Sequence, residues 1–283
     1  MAIATKARAP LVLRATLAKA ARSGSAGFMA GTLQVLAFMW LRTAMNYQYK
    51  FGGSLPEVLR KLHASGGITR LYQGLLMAIL QAPLSRFGDV ASNELVMGLT
   101  SALLPQLPVT VATFGASLTG ASFRVLITPV DTCKTFLQTD GAKAWGMLAE
   151  KVKRGGPAVL WSGWEGNYVA NVVANYPWFA TMNLLSRLVP VPRSELRRLV
   201  RSAVLGAVAS SVSDLMSNSI RVVKTRKQTH EDASTGYVKV ASEVIQEGGL
   251  RGLFFRGLET RVCANVLQGA FFTVFWKYIA GLR

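Results

Sequence analysis

Asp131 and Lys134 stand three residues apart, with Pro129 ahead of them and Gln138 one helical turn beyond Lys134. On a helix this spacing puts a carboxylate, an ammonium and an amide on one face, free to pair with neighbouring helices. Pro129 removes a backbone donor and permits a kink. The chemistry on offer is electrostatic latching rather than bond making. Two further ions, Arg124 and Asp214, fall inside long apolar stretches, where a charge is costly and marks a functional position. No nucleophile with its base, acid pair or phosphate loop accompanies them. His63 and His230 are far apart in sequence, and Cys133 and Cys263 lie in predicted helices without zinc or disulfide spacing. The expectation is a protein with no catalytic residues, no metal and no enzyme activity.

The elements that must position these side chains are long and apolar. Hydrophobic segments cover residues 24–47, 75–99, 108–137, 164–186, 199–225 and 258–281. Each exceeds the ~20 residues that a helix needs to cross a bilayer core. Glycines and polar residues interrupt them, as suits helices lining a wet cavity. Small residues at Gly27 and Gly31, Ala116 and Gly120, and Gly206 and Ser210 predict close helix approach. Amphipathic stretches at 54–64, 142–154 and 237–247 follow the odd-numbered segments. The predicted fold class is an all-α membrane protein of six transmembrane helices and three short amphipathic helices.

Composition agrees, with 51% hydrophobic and only 16% charged residues. The net charge of +18 sits beside apolar segments rather than on one face with stacking aromatics, so anionic lipid is the expected partner and nucleic acid is not. Residues 1–23 carry Lys6, Arg8, Arg14, Lys19 and Arg22 with no acid. They read as a targeting segment, a retained basic segment lying on lipid or on a partner, or a solvated tail. The segment from Met97 to Val109 is uncharged while the amphipathic stretches are basic, which orients the latter inward; Arg193 to Arg201 runs against that bias.

The motif recurs. Ala37, Met39, Arg42 and Asn46 match Pro129, Asp131, Lys134 and Gln138 upstream, and Ser219, Arg221, Lys224 and Gln228 match them downstream. Each copy is followed by a glycine pair and an aromatic-X-Gly: Tyr72-Gln73-Gly74, Trp161-Ser162-Gly163 and Phe255-Arg256-Gly257, with the final glycines 89 and 94 residues apart. The units are 24–100, 101–190 and 191–283, forming one domain with pseudo-threefold symmetry.

These motifs resemble those of the mitochondrial carrier family. The resemblance implies a cavity closed toward the matrix by pairs between each motif acid and the motif base of the next odd helix. Asp131 and Lys224 form one such pair, Lys134 faces Met39, and Arg221 faces Arg42, with Asn46, Gln138 and Gln228 bracing the contacts. On the opposite side the family's ionic motif falls at Asn93-Glu94, Met182-Asn183 and Trp276-Lys277, with Met97, Ser186 and Ala280 at the base positions; no ionic gate of the usual kind results.

Ten residues before each motif base stand Thr32, Arg124 and Asp214. Arg124 and Asp214 read equally as mutual partners or as substrate contacts. The family's contact points on the even helices correspond to Gln81, Ala170 and Ala264, with Asn171 and Asn265 alongside. A small neutral or zwitterionic solute suits this set better than a nucleotide, which asks for several bases. Arg261 and Arg86, the latter near Asp89, are expected to snorkel or pair locally, and Asn167 and Asn175 to brace helix packing.

Gly52, Gly141 and Gly236 open the short helices, and Gly74, Gly163 and Gly257 the even ones. Exposed amides there favour phosphate, and the resemblance implies bound cardiolipin; plain turn glycines explain them equally well. The function so implied is solute transport across the mitochondrial inner membrane by alternating access. The alternative is a non-transporting subunit of a larger inner-membrane assembly such as a respiratory-chain complex.

Overall fold

The computed structural model describes residues 32–232 and 234–281, except for the side chains of Arg86, Val90, Val109, Thr110 and residues 272–281. The segment 1–23, the Gly27–Gly31 spacing and the side chains of Arg86, Trp276, Lys277 and Ala280 therefore lie outside the described set. The described residues form helices and their connections, with no strand among them. In chain order these are α1 (32–51), α2 (Leu55–Ala64), α3 (Gly67–Leu71), α4 (Leu75–Leu103), α5 (Val109–Asp140), α6 (Ala144–Gly155), α7 (Trp164–Leu188), α8 (Glu195–Gln228), α9 (Tyr237–Phe255) and α10 (Leu258–Gly281). Short 3-10 turns at Gly141–Lys143 and Pro157–Trp161 flank α6.

Local chemistry sets the boundaries. Ser54 and Glu57 form a capping box at the start of α2, with Pro56 in its first turn. Gly249 (φ 63°) breaks α9 into two helical pieces. Pro129 leaves the carbonyl of Val125 without its helical donor, and the indole Nε1 of Trp161 donates to that oxygen at 3.1 Å. The aromatic of the second aromatic-X-Gly thus repairs the helix that the proline interrupts.

The long helices pack as neighbours, α4 on α5, α7 on both α5 and α8, and α10 on α8. Polar side chains fill the interior: Thr132, Gln138, Ser217 and Gln228 are wholly buried. Leu126, Leu184, Val204 and Leu215 point outward and are more than half exposed or close to it, at 71%, 58%, 55% and 50%. Such an arrangement is unfavourable in water and favourable in lipid. Two stretches, Val111–Gly155 and Glu195–Gln228, are long and apolar enough to cross a membrane by length and composition alone. Helices α4, α7 and α10 fall short of that measure because Asp89, Glu94, Asn167, Asn171, Asn175, Arg261 and Asn265 interrupt them.

Close packing is uneven. Gly120 on α5 lies against α4, where a Cβ would stand 3.4 Å from Asp89 Oδ1. Gly206, by contrast, has nothing within 4 Å, so the Gly206–Ser210 spacing marks no close approach among the described residues.

Candidate functional site

The contacts at the ends of the odd helices correct the alignment of the first motif. Thr43 Oγ1 donates to Leu71 O at 2.7 Å, and Thr132 Oγ1 donates to Leu160 O at 2.7 Å. Tyr72 Oη donates to Leu36 O just as Trp161 donates to Val125 O. A Cβ on Gly74 would lie 3.2 Å from Lys134 O, on Gly163 3.4 Å from Lys224 O, and on Gly257 3.4 Å from Met45 O. These equivalences place Trp40, Arg42, Met45 and Tyr49, not Ala37, Met39, Arg42 and Asn46, at the positions of Pro129, Asp131, Lys134 and Gln138. The same shift replaces Thr32 by Val35 at the depth of Arg124, and Val35 is wholly buried. The signal was present in the sequence: Tyr49 precedes Gly52 by the interval that separates Gln138 from Gly141. The chemically suggestive Asn46 drew the alignment away from it.

In this register the acid positions hold Arg42, Asp131 and Arg221, and the base positions Met45, Lys134 and Lys224. Asp131 bridges two cations, accepting from Lys134 Nζ at 2.6 Å and from Lys224 Nζ at 2.5 Å. Lys134 therefore turns to its own motif acid and to Gln81 Oε1 at 3.2 Å, and does not face Met39. Met39 Sδ instead receives Gln138 Nε2 at 3.6 Å. Arg221 Nε donates to Ser217 Oγ at 3.2 Å on its own helix. The amides have distinct contacts: Asn46 Nδ2 donates to Gln138 Oε1 at 2.5 Å, and Gln228 Nε2 to Thr132 Oγ1 at 2.7 Å.

Above this floor lies a cavity of about 440 Å³, whose lining includes Arg42, Gln81, Arg124, Ala170, Arg221, Arg261, Ala264 and Asn265. Arg124 and Asp214 do not pair. Arg124 donates to both oxygens of Asp89, at 3.1 Å and 2.5 Å, and to Asn171 Oδ1 at 2.9 Å. Asp214 accepts from Arg261 Nε at 2.5 Å and from Asn265 Nδ2 at 2.5 Å. The chain thus builds two arginine–aspartate–asparagine clusters, and of the two expectations for Arg261, snorkelling or pairing, it is pairing that the contact with Asp214 shows. The sequence reading leaves Arg261 to snorkel or pair locally and places Asp89 near Arg86; it does not identify Asp214 and Arg124 as their partners. A second hollow of about 530 Å³ continues from Asp89 and Arg124 past Asn93, Glu94, Asn175 and Trp178. Asn167 lines the cavity and Asn175 this extension, so both meet open space rather than only a packed helix face.

Of the six flagged glycines, Gly52, Gly74, Gly141, Gly163 and Gly257 have φ between 67° and 84°. That left-handed geometry, joined at Gly74, Gly163 and Gly257 by the close carbonyl approaches, gives them a steric reason for being glycine. Gly236 has φ −73° and no neighbour within 4 Å, so neither reason applies to it. At the start of α7 the amide of Gly166 donates to Tyr237 Oη at 3.0 Å, and that hydroxyl donates to Glu165 Oε2 at 2.9 Å.

A family model described as mitochondrial carrier protein matches residues 105–191 and 196–282. Among curated proteins, the chain is 21% identical over 242 residues to the mitochondrial 2-oxodicarboxylate carrier 2 of Saccharomyces cerevisiae, covering 82% of this chain and 78% of that one. It is 30% identical over 158 residues to the mitochondrial glycine transporter of Ovis aries, covering 52% and 50%. The family model omits the first motif, where Trp40, Arg42, Met45 and Tyr49 replace all the expected residue types. With more than half of its length matched by that model, the chain belongs to the mitochondrial carrier family.

Proposed function

We propose that this protein is a multi-pass solute carrier of the mitochondrial inner membrane, working by alternating access on a small solute that bears a carboxylate. In this reading residues 24–100, 101–190 and 191–283 are three repeats of one domain that crosses the membrane six times. Asp131, Lys134 and Lys224 form the matrix latch, with Arg42, Arg221, Asn46, Gln138 and Gln228 around it. The observation that carries the reading is the charge of the cavity. Arg42, Arg124, Lys134, Arg221, Lys224 and Arg261 line it, against Asp89 and Asp131 on its wall and Asp214 bound to Arg261. Six cations facing three carboxylates around one cavity favour a ligand with negative charge.

Of the small neutral or zwitterionic solutes expected from the sequence, the zwitterionic ones share a carboxylate with the substrates in the printed names of both relatives. Gln81, Ala170, Asn171, Ala264 and Asn265 would shape the remainder of the binding site, and cardiolipin would bind at the glycine-framed helix starts. The test is uptake of amino acids, dicarboxylates and nucleotides by purified protein in cardiolipin-containing liposomes. Saturable uptake of a carboxylate supports the carrier; a folded protein that moves none of them refutes it.

One observation favours the alternative, a non-transporting subunit of an inner-membrane complex. Arg124 and Arg261 are each already closed on a carboxylate, and a single acid serves the whole matrix ring. Stoichiometric copurification with such a complex, together with silence in the uptake assay, would decide for it.

A further inference from the structure

The connection between α7 and α8 carries a charge that no acid of the chain answers. Arg187 lies in the last turn of α7, Arg193 in the connection, and Arg197, Arg198 and Arg201 in the first two turns of α8. Glu195 is the one acid between residues 187 and 201, and among the described residues none of the five guanidinium groups pairs with it or with another carboxylate. Two of the five are engaged by the chain itself. Arg201 donates from Nε and Nη2 to Val189 O at 3.1 Å and 2.6 Å and from Nη2 to Ser186 O at 2.9 Å, while Arg198 Nε donates to Pro192 O at 2.8 Å. Pro190 and Pro192 restrict the backbone between these anchors, so the connection is held in one shape. Arg187, Arg193 and Arg197 are exposed and have no partner among the described residues. Arg197 and Arg198 also stand at the positive end of α8, so the helix adds to the repulsion instead of relieving it.

What surrounds these arginines is apolar. Leu196, Val200, Val204, Val208, Val212 and Met216 recur at every fourth residue of α8 and all are exposed, a stripe that faces outward. Leu184 and Leu188 continue it on the last turns of α7, and Leu188 and Val191 are 68% and 65% exposed. The band that meets lipid therefore runs without a break into the arginine cluster. At the same end of the bundle the connection from α4 to α5 is free of charge from Met97 to Val109, so the cations belong to this connection and not to this end as a whole. A guanidinium at the edge of such a band reaches the phosphates of lipid headgroups, two donors at a time, while the apolar side chains beside it stay among the acyl chains. A soluble acidic protein would answer the arginines but gain nothing from Leu188 and Val191.

We propose that the α7–α8 connection binds anionic phospholipid, with Arg187, Arg193 and Arg197 on headgroup phosphates and Leu188 and Val191 seated in the acyl region. In the orientation given above this is the leaflet opposite to the matrix. The site is separate from the glycine-framed starts of α4, α7 and α10, which lie at the other end of those helices. The inference requires that the chain be embedded in a membrane, and it holds whether the chain transports or serves as a subunit. It also accounts for the stretch from Arg193 to Arg201 that runs against the charge bias of the other connections: headgroup phosphates neutralise these cations where they stand.

The test uses the whole chain in phosphatidylcholine nanodiscs that contain a minor fraction of phosphatidylglycerol with a photoreactive group next to its phosphate. Crosslinked peptides are read by mass spectrometry. Wild type is compared with the triple variant Arg187→Gln, Arg193→Gln, Arg197→Gln and with its counterpart Arg187→Lys, Arg193→Lys, Arg197→Lys; none of these three arginines holds a carbonyl of the fold. The expected result is crosslinking of residues 187–201 in wild type, a loss of about tenfold or more in the glutamine variant, and an intermediate yield in the lysine variant, which keeps the charge and loses the fork. Crosslinks elsewhere on the chain are expected to stay as they are. Should the glutamine variant fail to fold, Arg193→Gln and Arg197→Gln singly carry the same comparison, and each is expected to lower the yield at 187–201. Equal yields in wild type and the glutamine variants overturn the inference, as does an equal yield from photoreactive phosphatidylcholine. An acidic protein that copurifies with wild type and is lost from the glutamine variant, while lipid crosslinking stays the same, assigns the surface to a protein and overturns it too.

Discussion

Lys50 at the end of α1 and Asp140 at the end of α5 meet at 2.6 Å, with side chains only 10% and 11% exposed. Both lie below the level of Arg42 and Asp131, where α1 and α5 offer each other a base and an acid already taken by two lysines. The pair thus supplies an attraction between the first two repeats that their motif residues lack. Removing one partner strands a buried charge, which costs about 3–5 kcal/mol. Lys50→Met and Asp140→Asn are each expected to lower the unfolding temperature in detergent markedly, and the exchanged pair Lys50→Asp with Asp140→Lys to recover a substantial part.

Asp131 is the single acid among the six motif positions at the cavity floor and holds two ammonium groups. Asp131→Asn leaves Lys134 and Lys224 facing each other with no countercharge, a loss of about 3–5 kcal/mol. Met45→Leu, at a base position of the same ring, conserves volume and is expected to cost less than about 1.5 kcal/mol. Thermal unfolding of the two variants side by side checks the difference; equal losses would remove the special place given to Asp131.

Glycine substitutions separate steric need from mere occurrence. At Gly257, φ is 67° and a Cβ would stand 2.7 Å from the Tyr49 ring. Gly257→Ala is expected to destabilise by more than about 1 kcal/mol, since both backbone strain and overlap oppose it. Gly206→Ala meets nothing within 4 Å in the middle of α8 and is expected to be neutral or to stabilise by up to about 1 kcal/mol. Urea or thermal unfolding reads both.

Tyr237, at the start of α9, is held neutral well above the usual phenol range, chiefly by burial and further by Glu165 beside it. A folded pKa above the unfolded value of 10.0 means that its contribution to stability is complete below pH 10.0 and is lost as pH rises through the folded pKa. Spectrophotometric titration is expected to show a late-ionising phenol that is absent in Tyr237→Phe. If wild type and Tyr237→Phe give titration curves that differ only by a phenol ionising in the ordinary range, the hydroxyl is not protected.

How legible this was in the sequence depended on the strength of each local signal. The second motif could be read directly, because Pro129, Asp131, Lys134 and Gln138 each have a distinct physical task. So could the helix starts, which glycines in aromatic-X-Gly mark to within a residue or so. The first motif could not be read from residue type, since Trp40, Arg42, Met45 and Tyr49 share no chemistry with their counterparts; the spacing of Tyr49 to Gly52 is the one sequence signal of the register, and the backbone contacts of Thr43, Tyr72 and Gly257 establish it. The partners of Arg124 and Asp214 were hidden for another reason. Depth along a helix gives height in the bundle but not azimuth, so two ions at one level need not meet.

The last turns of the odd helices share one more property. Arg70, on α3, donates to the carbonyls of Gln138 and Thr139 at the end of α5 at 3.0 Å and 2.7 Å. Lys151, on α6, donates to those of Gln228 and His230 beyond α8 at 3.2 Å and 2.6 Å. Arg226, on α8, donates to that of Lys50 at the end of α1 at 2.7 Å. Each helix is finished by a cation belonging to the preceding unit, and the first is finished by the third, so the chain closes as a circle of obligations. No segment of it is self-sufficient. A chain that ends at α7 lacks the side-chain donor that α8 brings to the carbonyl of Lys50, so the last turn of α1 is completed only when the third unit is in place.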